Sequence, residues 1–367
     1  MPKLLFVIAM LLIVGGCSTK VDVPATAVIK PKPEVVVKAP VKRDTTRYQA
    51  SRSLHSRTQW QGFNALQTSK VAWDSPQSRL SLLNMVTIGA NSVALIPFLK
   101  QSSIHSTDIR LANNVTISQL SAAIEAAHQA GLKVVVKPQI LISGGWAGDI
   151  SFSDESQMNL WFKNYSEHLL MYARLSQQLG VEAFVIGTEL KKIAKDLPWL
   201  PLIAQLRREF RGKLTYAAHN VDGVEKFPYW YKLDVTGVSF YPPLGDMGEY
   251  DEMLAHVELA MYKLNRVVKE HRTKKVWLLE IGIPSAAGAS SQPWEWRSLD
   301  SKNKRPALTM QTAAVAAWLN VIQRSEYVDG VFFWNWFSDP YAGGESDVGY
   351  TVQNKPAEIM IRQYWNK

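Results

Sequence analysis

Short apolar stretches alternate with segments of helical periodicity along the chain from Gln59 onward. The clearest stretch is VEAFVIGTEL at residues 181–190, where five of the first six residues are β-branched, aromatic or small and apolar. Such a run is typical of a parallel strand that is buried on both faces. A similar run, VWLLEIG, occupies residues 276–282. The two patterns predict buried strands that carry Glu189 and Glu280 at their carboxyl ends.

Further strands and helices are predicted from the same patterns. The strands cover residues 62–67, 92–98, 133–138, 181–190, 213–218, 234–240, 275–279 and 330–334. The helices cover residues 75–88, 116–130, 154–179, 198–210, 250–271, 309–324 and 358–364. Thr116 and Gln119 have the spacing of a capping box, and Gly131 is expected to end that helix.

Apolar residues at helical spacing predict the helix faces that pack on the strands. In helix 75–88 they are Leu80, Leu83 and Val86, and in helix 154–179 they are Leu160, Tyr165, Leu169 and Tyr172.

Eight strands that alternate with helices within residues 59–367 favour an α/β fold of the (β/α)8 or TIM-barrel type. A doubly wound sheet is the alternative architecture. It usually has a glycine-rich phosphate loop after its first strand, and neither GxGxxG nor GxxxxGK[ST] occurs in this sequence.

The first 58 residues differ in composition from the rest. Lys3, an apolar run at residues 4–14 and Cys17 have the layout of a secretory signal. VGGC at residues 14–17 resembles the lipobox of bacterial lipoproteins, which implies cleavage before Cys17, lipidation of that cysteine and membrane anchoring. The domains are therefore predicted as a signal peptide at 1–16, a disordered Pro- and Lys-rich tether at 17–58 and a barrel at 59–367. Ser18 after the cysteine predicts the outer membrane of a bacterial cell envelope.

Charge and motif content narrow the function further. Residues 1–58 hold ten Lys or Arg and three Asp or Glu, so most of the chain's net charge of +9 belongs to the tether and no nucleic-acid partner is expected. With a single cysteine, intramolecular disulfides are excluded. HExxH, CxxC, EF-hand and GxSxG patterns are absent, so neither a metal site, a cofactor nor a serine hydrolase triad is predicted. Oligomeric state is not indicated.

The ends of the predicted strands carry polar and aromatic side chains. In chain order these are Asn64, Pro97, Lys137, Gln139, Thr188, Glu189, His219, Asn220, Tyr241, Glu280, Trp334 and Trp336. Active sites of (β/α)8 barrels lie at the carboxyl ends of the strands. Glycoside hydrolysis needs two carboxyl groups there, and aromatic rings stack on sugars. Of the 13 tryptophans, Trp146, Trp294 and Trp296 lie in predicted loops.

Structural roles are the alternative for several of these residues. A glutamate after a strand can be a loop salt-bridge partner, and Lys137 can pair with a carboxylate in the barrel. Trp334 can belong to the barrel core, and His219 can be a buried structural histidine. Two glutamates on the fourth and seventh strands, with Trp334 on the eighth, favour the catalytic interpretation.

Seven segments together resemble glycoside hydrolase family 113, whose members are retaining β-mannanase-type barrels. They are GANSVALIPFLKQ (89–101), AHQAGLKVVVKP (127–138), VEAFVIGTELKK (181–192), GKLTYAAHN (212–220), LDVTGVSFYPPLG (233–245), WLLEIGIPS (277–285) and DVGYTVQNKPAE (347–358). They occur in the order of the family and extend over nearly all of the chain after residue 59.

The resemblance implies a role for each matched residue. Glu189 resembles the general acid/base and Glu280 the nucleophile, which implies carboxyl groups about 5–5.5 Å apart. Tyr241 resembles a tyrosine that hydrogen-bonds the nucleophile, and Trp334 resembles the platform beneath the sugar. The remaining matched or neighbouring positions are expected to bind substrate: Lys137, Gln139, Trp146, Asn220 and Trp336.

The sequence departs from the family at substrate-facing positions. The family often has KPH where this chain has Lys137-Pro138-Gln139, and AANW where it has Ala217-Ala218-His219-Asn220. The expected function is a lipid-anchored retaining hydrolase of a β-linked oligo- or polysaccharide, with mannan or another glycan as substrate. The alternatives are a transglycosylase, which excludes water from the intermediate, and a non-catalytic carbohydrate-binding or envelope-assembly lipoprotein.

Overall fold

The computed structural model of the 367-residue chain describes residues 59–270, 275–295 and 305–366. The predicted signal peptide and tether, with Cys17, lie outside these ranges, as does Trp296. Within the described ranges, no helix combines the length and apolar character that a membrane span requires.

The described residues form eleven strands and eight α-helices. The strands are β1 (Trp60–Leu66), β2 (Ser92–Leu95), β3 (Phe98–Gln101), β4 (Ile109–Leu111), β5 (Lys133–Val136), β6 (Gln139–Ile142), β7 (Ala183–Thr188), β8 (Lys213–His219), β9 (Thr236–Ser239), β10 (Val276–Ile281) and β11 (Val328–Phe337). The helices are α1 (Pro76–Thr87), α2 (Ile117–Gln129), α3 (Glu155–Gln178), α4 (Trp199–Glu209), α5 (Asn220–Lys226), α6 (Tyr250–Glu270), α7 (Leu308–Gln323) and α8 (Pro356–Trp365).

Eight of the strands close into a parallel barrel, in the order β1-β11-β10-β9-β8-β7-β5-β2. The helices lie between successive barrel strands, so the chain has the (β/α)8 fold that its apolar pattern predicts. The barrel strands are short continuous apolar runs because both of their faces are buried, one by the interior of the barrel and the other by the helices.

The helix ends are fixed by local chemistry. Thr116 and Gln119 form the predicted capping box at the start of α2, and Gly131 follows that helix with φ +81°. Ser75 accepts a hydrogen bond from the N–H of Ser78 at the start of α1, where Pro76 is the first helical residue.

The prediction for the buried face of α1 is wrong for Leu80 and Leu83, while Val86 is half-buried and packs on the core. Leu80 and Leu83 are 43% and 50% exposed, whereas Ser78, Ser81, Leu82 and Met85 are buried. Small serines face the barrel because Ser81 Oγ donates to the carbonyl of Phe337 and accepts from Trp336 Nε1. In α3, Tyr165, Leu169 and Tyr172 are buried as expected, but Leu160 is 40% exposed.

The inside of the barrel changes from apolar to polar along its axis. Trp60 on β1 and Trp277 on β10 pack with ring centroids 4.5 Å apart near the amino-terminal ends of these strands. Farther along the same two strands lie the buried polar residues Asn64 and Glu280. The apolar layer closes the floor of the barrel, and the chain therefore enters β1 from the face opposite the polar end.

A separate sheet, in the order β4-β3-β6, extends the wall at the carboxyl end of the barrel. The sequence pattern predicts one strand over residues 92–98 and ends the next strand at Pro138. Instead, Pro97 and Pro138 separate β2 from β3 and β5 from β6, because proline cannot donate to a ladder. Strands β3 and β6 then pair in parallel, with Phe98 opposite Gln139.

Candidate active site

Glu280 lies at the centre of a hydrogen-bond network at the carboxyl end of the barrel. It is 6% exposed. Its Oε1 accepts from Lys137 Nζ and from Gln139 Nε2, the latter at 2.8 Å. Its Oε2 accepts from the hydroxyl of Tyr241 at 3.0 Å. Three donors, two from the junction of β5 and β6 and one from the segment after β9, therefore fix both oxygens of this carboxylate.

Lys137 is a fully buried cation held by residues of β1 and β10. Its Nζ donates to Asn64 Oδ1 at 3.0 Å as well as to Glu280, and Asn64 Nδ2 donates to the carbonyl of Leu279 at 2.9 Å. Asn64 thus orients the ammonium group toward the carboxylate. The contact between Lys137 and Glu280 matches the alternative interpretation of the sequence, in which Lys137 pairs with a carboxylate inside the barrel.

The two buried charges shift each other's ionisation. Burial raises the pKa of the Glu280 carboxyl, and the charge of Glu189 raises it further, while Lys137 and Tyr241 oppose this shift. Burial lowers the pKa of the Lys137 ammonium, and the Glu280 charge opposes that change. Burial and the Glu280 charge raise the pKa of Tyr241 well above its ordinary value, so this phenol remains a proton donor.

Glu189 lies at the end of β7, where the chain turns with a positive φ of 56°. Its backbone N–H donates to the carbonyl of Ala217 on β8 at 2.8 Å. Its side chain is 17% exposed, so it is more accessible than that of Glu280. A positive φ is uncommon outside glycine, and such strain is concentrated at functional sites.

Both oxygens of Glu189 have neighbours that can donate. Oε2 accepts from Trp146 Nε1 at 3.1 Å, and Oε1 lies 3.2 Å from Nδ1 of His219. The indole of Trp146 folds over Gly148, where an added Cβ would come within 2.3 Å of the ring. Only glycine therefore leaves room for the indole in this position.

Asn220 links the surroundings of the two glutamates. It has a φ of 52°, and its Oδ1 accepts from the backbone N–H of Tyr241 at 2.9 Å. Its Nδ2 lies 3.3 Å from Nε2 of His219. Asn220 therefore joins the Tyr241 backbone, beside Glu280, to the histidine beside Glu189.

The two tryptophans at the end of β11 have different locations. Trp334 is half-buried, with Lys137 Nζ 5.8 Å from its ring centroid, and its peptide bond to Asn335 is cis. Trp336 is 2% exposed; it packs on Phe63 and donates to Ser81. The prediction that Trp336 binds substrate is wrong. The end of β11 is bulged, so Trp334 and Trp336 need not point to the same face of the strand, and Trp336 packs under α1.

Tyr350 is a further residue of the site and is not among the site residues predicted from the sequence. Its ring packs edge-on against Tyr241 at 6.3 Å, and its hydroxyl donates to the carbonyl of Pro293 at 2.7 Å. Burial and the charges of Glu280 and nearby acids raise the pKa of Tyr350. It lies in the long loop after β11, away from any strand end, so the pattern of strand ends could not reveal it.

Buried polar contacts hold the loop that carries Tyr350. Lys355, with no exposed side-chain surface, donates to Asp347 Oδ1 at 2.6 Å, to Ser285 Oγ at 2.9 Å and to the carbonyl of Gly349 at 3.1 Å. The loops after β10 and β11 are thereby joined beside the site.

The arrangement is suited to chemistry by two carboxyl groups. Glu280 is buried and paired with an ammonium group, whereas Glu189 is more exposed and its oxygens contact the indole of Trp146 and the imidazole of His219. Glycoside hydrolysis needs one carboxyl group to donate a proton and a second to attack or support the anomeric carbon. Across the described residues, no group of three or more His, Cys, Asp or Glu side chains is placed to hold a metal ion.

Comparison with known proteins agrees with this geometry. The model of Glycoside Hydrolase Family 113 matches residues 62–355. A solved structure of a GH113 β-1,4-mannanase superposes with a TM-score of 0.73 at 25% identity, covering 85% of this chain and 100% of that one. A β-mannanase from Alicyclobacillus acidocaldarius, solved with ManMIm, gives a TM-score of 0.72 at 24% identity over 83% of this chain and 96% of that one. No curated protein sequence matches the chain.

Proposed function

Since the chain belongs to glycoside hydrolase family 113, and is a glycoside hydrolase with a (β/α)8 fold, we propose that it cleaves a β-linked mannan with retention of anomeric configuration. Glu280 is the nucleophile in this proposal and Glu189 the general acid/base. The observation that carries the assignment is the contrast between the two carboxyl groups: Glu280 is held by Lys137, Gln139 and Tyr241, and Glu189 is not.

The reaction proceeds in two steps. In the first, a Glu280 oxygen forms a bond to the anomeric carbon as the glycosidic bond breaks, and the proton of Glu189 moves to the departing oxygen. In the second, Glu189 takes a proton from water, and the water oxygen attacks the anomeric carbon and releases Glu280. Two inversions retain the configuration, and no cofactor enters the balance.

The surroundings of each glutamate support its assigned step. Lys137 stabilises the Glu280 carboxylate in a buried place where burial alone would favour the protonated, non-nucleophilic acid. Tyr241 donates to the second oxygen and keeps the carboxylate oriented. Glu189, with greater exposure, can exchange its proton with the leaving group and with water. A merely binding protein would have no need of this division between the two carboxyl groups.

The substrate class rests on the two similar structures, which are described as a β-1,4-mannanase and a β-mannanase. The test incubates soluble protein beginning at Arg52 with β-1,4-mannan, β-1,4-glucan, β-1,4-galactan and xylan. We expect reducing ends from mannan, with the β-anomer seen first by proton NMR before mutarotation. Initial α-product would exclude retention. Activity on another polymer alone would exclude mannan, and inactivity on all four would contradict the proposal.

Replacement of Lys137 by methionine tests the electrostatic role of the buried ammonium. Without it, burial and the Glu189 charge raise the pKa of Glu280 further, so the nucleophile becomes protonated at higher pH. We expect the acid limb of the kcat/KM profile to move to higher pH and kcat to fall by about 10²-fold, as when a preorganised donor is lost.

The matched control is Lys163→Met on the exposed side of α3, which should leave the profile unchanged. An acid limb that stays in place in Lys137→Met, with thermal unfolding showing a folded protein, would contradict the role of Lys137.

A further inference from the structure

Resting on the proposed function, we infer that His219 is a positioning residue for Glu189: its Nδ1–H donates to Glu189 Oε1 and stabilises the carboxylate that forms as the proton leaves. His219 ends β8, next to the end of β7 in the barrel, so the two side chains meet across neighbouring strands. Nδ1 and Oε1 are 3.2 Å apart.

The hydrogen bonds of Asn220 determine which ring nitrogen carries the proton. The N–H of Tyr241 donates to Asn220 Oδ1, so the amide oxygen is the acceptor and Nδ2 is the donor. Nδ2 lies 3.3 Å from His219 Nε2, and an amide N–H2 can only donate. Nε2 must therefore accept, and the neutral imidazole carries its proton on Nδ1, facing Glu189.

The Nδ1 atom has no other use in the described structure. It is buried, and it makes no well-aligned hydrogen bond; the Glu189 contact is within reach but imperfectly oriented. Catalytic hydrogen bonds are often poorly aligned without substrate and tighten when it binds. A buried N–H without a well-formed hydrogen bond destabilises the folded protein. The orientation of Nδ1 toward Glu189 therefore points to a role in the reaction.

Trp146 limits how Glu189 can rearrange. Its Nε1–H donates to Oε2, and its ring packs edge-on against the His219 ring with centroids 4.7 Å apart. The two donors approach different oxygens of the same carboxylate. The Trp146 and His219 side chains thus approach the Glu189 carboxyl from two sides and limit its rotation.

This role has a kinetic signature that a structural role lacks. Proton donation matters in proportion to the basicity of the leaving group. A group that stabilises the Glu189 carboxylate therefore contributes to the cleavage of poor leaving groups and little to the cleavage of good ones. The value of kcat/KM reports the bond-breaking step even where later hydrolysis limits kcat.

The experiment compares phenyl and 2,4-dinitrophenyl β-mannobioside as substrates of wild type, His219→Leu, His219→Asn and Glu189→Gln. We expect His219→Leu to lower kcat/KM by about 10- to 10²-fold for the phenyl substrate and less than about threefold for the dinitrophenyl substrate. His219→Asn should remain within about threefold of wild type on both, because an asparagine Nδ2 can donate from the place of Nδ1.

Two results would overturn the inference. One is an equal loss on both substrates in His219→Leu, and the other is a His219→Asn variant as impaired as His219→Leu while its melting temperature equals that of wild type. The Glu189→Gln variant distinguishes these two results from failure of the proposed function. If this variant loses kcat/KM selectively on the phenyl substrate, Glu189 is the acid. Without that loss, it is the assignment of Glu189 that fails.

Discussion

Replacement of Glu280 by glutamine is expected to lower kcat by about 10⁴-fold or more, since loss of a nucleophile removes the covalent route altogether. The amide is nearly isosteric: its oxygen can still accept from Lys137 and Gln139, and its NH2 group can donate to the hydroxyl oxygen of Tyr241, so the barrel should remain folded. It cannot form the ester to the anomeric carbon. Initial rates on β-1,4-mannan measure the loss, with Glu125→Gln on the exposed side of α2 as the matched control.

Trapping the intermediate makes this result specific to Glu280. Wild type incubated with an activated 2-deoxy-2-fluoro β-mannoside should gain the mass of one fluoroglycosyl group, because the fluorine slows hydrolysis of the ester. Peptide mapping should place the group on the peptide that contains Glu280, and Glu280→Gln should gain no mass. An adduct on another residue, or activity close to wild type in Glu280→Gln, would refute the assignment.

Replacement of Glu189 by alanine is expected to lower kcat/KM by about 10²- to 10⁴-fold for phenyl β-mannobioside, since general acid catalysis is lost. With the dinitrophenyl substrate, bond breaking needs little acid assistance and the glycosyl-enzyme should accumulate. Added azide should then restore turnover: the azide nitrogen attacks the anomeric carbon, displaces Glu280 and needs no base. The product should be the β-mannobiosyl azide, identified by NMR.

The control for this second experiment is Glu155→Ala in the exposed first turn of α3, which should respond neither in rate nor to azide. An α-configured azide product would indicate that azide replaces a nucleophile, and Glu189 and Glu280 would exchange roles. Absence of rescue, together with equal losses on both substrates, would remove Glu189 from catalysis.

The barrel could be predicted because each of its strands leaves a separate signal in the sequence. AFVIG and VWLL are apolar throughout, since β7 and β10 are buried on both faces, and the polar residue after each run marks the carboxyl end. The proximity of Glu189 and Glu280 follows from that topology alone. The capping box at Thr116 is equally local, and it formed as its spacing predicts.

Features that depend on long-range contacts could not be predicted in this way. Ser81 and Trp336 lie 255 positions apart, and their hydrogen bond decides which side of α1 is buried and removes Trp336 from the cleft. Strands β3 and β6 are stabilised by pairing with each other, and each has only 4 residues, which is too short for its own pattern to distinguish it from a loop. Tyr350 approaches Tyr241 only because Lys355 fixes a long loop.

The direction in which the chain enters the barrel has a practical consequence. β1 begins with Trp60 in the apolar floor, and Glu189 and Glu280 lie at the other end of the strands. A bead or sensor chip attached at the amino-terminal end of β1 therefore lies on the far side from the cleft, which leaves long polymers free access to it. Coupling through Lys191 or Lys192, which follow Glu189 and Leu190, would place the solid support beside the cleft instead.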